Sequence, residues 1–203
     1  MLISELFRND ISKTDDITNP TAAAKPDVKL PFKVGDYDVY VSNEFGGEYN
    51  ISVWDKNAIV AYLDLELDSD GFYEILVAGA RVQGKRIVET LYKQLIRHGI
   101  TLVTGESHSL GARKVWFRLY DDPEISVWGM HKQTHKVFPV TKSDSGELTG
   151  VDRTIYTDTK YFDPFDFNVL VMTKKHGDVD NMFETASKNK TKINKIKQQD
   201  LVK

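Results

Sequence analysis

VAGARVQGKRIVETL, residues 77–91, is where the period of this chain changes. Just before it, FYEILVA (72–78) is a β-branched and aromatic run of strand character. Beyond it, Ile87, Val88, Leu91, Tyr92, Leu95 and Ile96 recur at three-and-four spacing, which gathers them on one helical face. His98-Gly99 supplies a C-terminal cap, so a helix is expected over 86–98. A strand that feeds an amphipathic helix through a basic, glycine-bearing turn sets the frame for the rest.

Upstream lie three more strand-like runs, YDVYVSNEF (37–45), YNISVWD (49–55) and AIVAYLDLEL (58–67). Gly46-Gly47, Lys56-Asn57 and the stretch from Asp68 to Gly71 punctuate them as turns, which predicts an antiparallel meander. Downstream, ITLVTG (100–105) reads as a short buried strand and SLGARKVWFRLY (109–120) as a second helix with Ser109 as N-cap. Strand regions follow in ISVWGMHKQTHKVFPV (125–140) and, past the Asp144-Ser145-Gly146 turn, in TIYTDTKYF (154–162) to FNVLVMT (167–173). The expected class is α+β: a mixed, mainly antiparallel sheet flanked by helices, with an extended N-terminal arm and a polar C-terminal tail.

The expected organisation is an arm and linker over 1–31, a domain over 32–173, and a lysine-rich tail over 174–203. From Asp10 to Pro31 the chain has Pro20, Pro26 and Pro31 and no sustained period, which reads as a linker. Ahead of it, Leu2, Ile3, Leu6 and Phe7 form a short apolar stripe that either docks on its own domain or anchors the chain to a partner subunit. In the tail, Lys188, Lys190, Lys192, Lys195 and Lys197 precede the next acidic residue, Asp200. They form either a solvated end or a weak contact with nucleic acid or an acidic surface, and no aromatic residue interleaves them for base stacking.

With 203 residues and 40% apolar content, one sizeable core is expected. A net charge of -3 gives no global attraction to nucleic acid or anionic lipid. The absence of cysteine excludes disulfides and thiolate zinc sites. No run approaches the roughly 18 apolar residues that span a bilayer, and MLISELFRND lacks the marks of a signal peptide. A cytoplasmic or virion location with no membrane contact is expected.

The order of meander, strand ending in VAGARVQGK, helix, buried strand, helix and final strand pair resembles the GNAT acyltransferase superfamily over about Tyr37 to Met172. In that family a loop of form Q/R-x-x-G-x-G/A at a helix N-terminus holds the pyrophosphate of acetyl-CoA on bare backbone N–H groups. The resemblance implies a splay between strands 72–78 and 100–105 that receives the cofactor, with Val77, Gln83, Gly84, Lys85 and Arg86 as the cofactor-binding candidates. Gln83 matches the first motif position, while Arg86 and Val88 stand at the two small ones; anchoring on Arg81 places Gly84 but again meets Arg86. Lys85 and Arg86 suit phosphate chemically, yet without room for the cradle Arg86 is expected to block the phosphate position or pair with a carboxylate.

Two further departures accompany the loop. The second helix resembles the family pattern N-x-x-A-x-x-L-Y at Ala112 but has Trp116 at the tyrosine, and an indole N–H is no general acid. Tyr120 lies one turn on as a weak substitute. Only Phe45 to Glu48 separates runs between which the family places helices. Glu74, on the strand before the loop, is the candidate general base. His131 and His135 lack a third ligand, so no metal is expected, and Glu106 to Ser109 lacks the glycine elbow of a serine hydrolase.

The resemblance therefore implies a non-catalytic GNAT-fold binding or structural protein without a cofactor, its partners the protein subunits of an assembly. In size, absent cysteine and polar ends it is similar to GNAT-like virion proteins of short-tailed bacteriophages. The alternative is an acetyl-CoA-dependent N-acetyltransferase with a divergent loop.

Overall fold

The computed structural model describes residues 28–43, 48–68, 71–82, 84–105, 110–142, 148–149 and 168–175. Strands β1 (Val28–Val34), β2 (Tyr37–Asn43), β3 (Glu48–Asp55), β4 (Ala58–Leu67) and β5 (Tyr73–Ala80) form the expected antiparallel meander. Helix α1 (Ile87–Arg97) leads to β6 (Leu102–Thr104), and α2 (Leu110–Tyr120) to β7 (Ile125–His131) and β8 (Val137–Pro139). β11 (Asn168–Lys174) completes a nine-stranded sheet ordered β1-β2-β3-β4-β5-β6-β11-β7-β8. β9 (Thr141–Lys142) and β10 (Leu148–Thr149) pair separately. Among the described residues the one parallel pairing is β5 with β6, so the described chain is a mixed, mostly antiparallel sheet with two helices.

β1 corrects the reading of Val28 to Pro31 as linker. Val28, Leu30, Phe32 and Val34 alternate with exposed Lys29, Pro31 and Lys33, which is a half-buried strand with a proline in it. An edge strand tolerates the missing N–H, and Pro31 falls where the register with β2 is irregular. Lys29 and Lys33 both reach Asp38, at 2.9 and 3.4 Å. The residues 1–27 and 176–203, with the apolar stripe and the tail lysines, lie outside the described residues, as do Gln83, Glu106 to Ser109 and the run 154–162.

Strand alternation divides the meander into two faces. Val39, Val41, Ile51, Val53, Leu63 and Leu65 are all buried on one, while Tyr40, Asn50, Tyr62 and Asp64 are half-buried on the other. Helix α1 lays Ile87, Leu91, Leu95 and Ile96 on the apolar face, each worth about 1.5–3 kcal/mol before ordering costs. It ends as expected: Gly99, at φ 83, donates its N–H to the Ile96 carbonyl, and Ile100 donates to Leu95, which closes the last turn. Helix α2 leans on α1 through a parallel stack of Trp116 on Tyr92, with ring centroids 5.2 Å apart.

A charged clasp closes the same helix pair. Buried Glu89 of α1 accepts a hydrogen bond from Arg118 of α2, and Lys93 bridges Glu89 at 3.2 Å to Asp122 at 2.9 Å. A carboxylate so nearly buried persists only because both partners converge on it.

Candidate functional site

β5 and β6 are neighbours in one sheet and all three residues of β6 are paired; residues 106–109, where the expected splay would open, lie outside the described residues. β5 pairs with β6 at Tyr73, Glu74 and Ile75 only, and from Leu76 onward its edge on that side has no described strand. β5 carries a bulge just beyond this pairing: Ile75 lies opposite Leu65 and Val77 opposite Asp64, which leaves Leu76 with no partner residue on β4. Leu76 is also a large apolar side chain left 45% exposed. Just past the last pair a Cβ on Gly105 would stand 2.5 Å from the Ile75 carbonyl oxygen, so glycine there allows the two backbones to approach closely. Tyr62 of β4 lies across Gly79 of β5, where a Cβ would come within 2.7 Å of its ring.

The loop from β5 to α1 has an unusual backbone. Gly84 has φ 81 and Arg86, immediately before the first helical residue, has φ 50 and ψ 33. A non-glycine residue in that left-handed region costs about 1–2 kcal/mol, so an arginine here occupies a conformation that suits glycine. The Arg86 carbonyl accepts from the Thr90 N–H at 2.9 Å and the Thr90 hydroxyl at 3.0 Å. Its guanidinium is exposed and, among the described residues, makes no ion pair; the expected pairing with a carboxylate is not found there. Val88 is half-buried against the core. Lys85 is engaged elsewhere: its ammonium donates to the Tyr37 hydroxyl at 2.9 Å and lies 5.6 Å from the centre of that ring. The Tyr37 hydroxyl, with Asp55 and Asp36 beyond it, holds Lys85 above the usual lysine range. The turn before α1 thus carries side chains, Arg86 and Val88, at both positions where the motif that it resembles has small residues.

Glu74, the candidate base, accepts a hydrogen bond from Lys132 at 2.8 Å, with its side chain only 17% exposed. The ammonium engages the carboxylate through one of its oxygens, Oε1. The two residues are 58 positions apart, and Lys132 carried no signal in the sequence beyond following a strand. Val77 is half-buried on β5 opposite Asp64. Trp116 is buried to 2% in its stack on Tyr92, and Tyr120, half-buried, packs against the core at the end of α2. His131 and His135 are joined within one turn, where the Thr134 N–H donates to His131 Nδ1 at 3.2 Å; no group of metal-ligating side chains forms among the described residues.

Comparison with known proteins gives structural likeness only. No family model and no curated protein matches the sequence. Among solved structures, one described as a GNAT-family acetyltransferase from Bacteroides thetaiotaomicron is similar at 12% identity and TM-score 0.40, over 92% of this chain and 93% of that one. An IAA acetyltransferase from Bacillus cereus has 12% identity and TM-score 0.34 over 64% and 79%. An aminoglycoside 6'-N-acetyltransferase complexed with coenzyme A has 10% identity and TM-score 0.32 over 66% and 77%.

Proposed function

We propose that this chain is a non-catalytic binding protein on a GNAT-like scaffold. The observation that carries the reading is the Glu74–Lys132 pair: the candidate base on β5 is bound to the chain's own ammonium. Trp116 at the tyrosine position supports it, because an indole buried in a stack returns no proton to a leaving thiolate. The finer reading, a subunit of an assembly such as a phage virion, comes from the resemblance in size and polar ends.

The second reading, an acetyl-CoA-dependent N-acetyltransferase, is favoured by two features of the backbone, the bulge at Leu76 and the left-handed turn at Arg86. Calorimetric titration of the full chain with acetyl-CoA separates them. We expect no measurable heat for the wild type and measurable binding for the double variant R86G/V88A, in which both small positions are restored. Micromolar binding by the wild type, equal to that of the double variant, would overturn the occlusion argument and favour the enzyme.

A further inference from the structure

We propose that the turn joining β7 to β8, residues 132–136, is a latch that closes over the sheet face carrying Glu74, and that the Lys132–Glu74 contact holds it shut. β5 and β7 are separated in the sheet by β6 and β11. Three inter-strand steps of about 4.8 Å each are farther than an extended lysine side chain reaches, so the turn itself folds across the sheet to bring Lys132 within 2.8 Å of Glu74. A second contact lands beside the first: the His135 ring meets Phe72 edge-on, with centroids 6.5 Å apart, and Phe72 is fully buried two residues before Glu74.

The latch is preformed. His135 has φ 53 and donates its N–H to the His131 carbonyl at 2.8 Å, while His131 donates its own N–H to the Lys136 carbonyl at 3.0 Å. Its landing site is acidic by register. Glu48, Glu66 and Glu74 stand directly opposite one another across β3, β4 and β5, an arrangement that like charges oppose and that a cation relieves. Strand alternation puts Leu76 on the same face as Glu74, and Val77, opposite Asp64, joins them past the bulge. A ligand approaching Glu74 from this face therefore meets a carboxylate already claimed by Lys132. The inference does not depend on whether the chain binds an acyl-CoA.

The chain has no cysteine, so a single introduced thiol reports cleanly on access. The experiment places F72C under the latch and measures its labelling by a maleimide in the full chain, without acetyl-CoA. We expect K132A and E74Q each to speed labelling about tenfold, the factor that about 1.4 kcal/mol represents. Combining them should give no further gain, and K132R should stay protected. Equal rates in all variants, or a combined effect that multiplies the single ones, would overturn the latch. If F72C does not fold, hydrogen exchange of the Thr134 and His135 amides in K132A against the wild type decides: faster exchange supports the latch, and unchanged exchange overturns it.

Discussion

At position 86 the backbone takes a left-handed turn that the side chain does not suit, as it also does at Lys56 and His135. The family motif that the loop resembles has glycine there, the residue that this conformation favours. R86G should remove the Cβ strain, whereas R86A keeps it and loses only the exposed guanidinium. We expect R86G to be more stable than R86A by about 1 kcal/mol in urea denaturation, with the entropy glycine adds to the unfolded chain offsetting part of the gain. Equal stability would mean that the turn relaxes to negative φ once arginine is removed. Individual residues of the site were partly legible: Arg86 and Trp116 stood out because a motif supplied positions to compare them with. Lys132 did not, because a contact between residues 74 and 132 is made by the folding of the sheet and has no local pattern.

Among the elements, the clasp between α1 and α2 has a pH signature. Burial acts to raise the Asp122 carboxyl, but the Lys93 ammonium and the Glu124 N–H outweigh it and hold Asp122 below the usual carboxylate range. For Lys93 burial acts downward, and Asp122 with Glu89 overcomes it, so its ammonium is held above the usual range. A carboxyl with a depressed folded-state pKa stabilises the fold above its unfolded value of about 3.9, and that contribution is lost as pH falls through the folded value. Lys93 contributes below about 10.4 and loses its part as pH rises past that point. D122N should therefore melt lower than the wild type at pH 7, and the gap should close as pH falls from about 4 towards 2. Parallel melting curves over that range would show that the pair contributes nothing. The elements themselves were readable where one period was sustained: α1 from its apolar spacing, and β2 to β5 from alternation between turns. β1 was missed because three prolines and a polar neighbourhood masked its alternation, and an edge strand can hold Pro31 where an inner strand could not.

For the molecule as a whole, the fold brings the bulge at Leu76, the Lys132-bound Glu74 and the buried Trp116 into one frame. The scaffold was legible because alternation and helical spacing are properties of consecutive residues. Its functional state was not, because it depends on which strand ends meet across the sheet. The proposal that ties these scales together is that this chain binds a partner without transferring an acyl group. The most direct test is release of free CoA from acetyl-CoA, read with a thiol reagent in the presence of the full chain and a mixture of primary amines. Since the protein contributes no thiol of its own, any signal comes from the cofactor. The account predicts a rate no greater than the protein-free background; sustained release over many turnovers would contradict it.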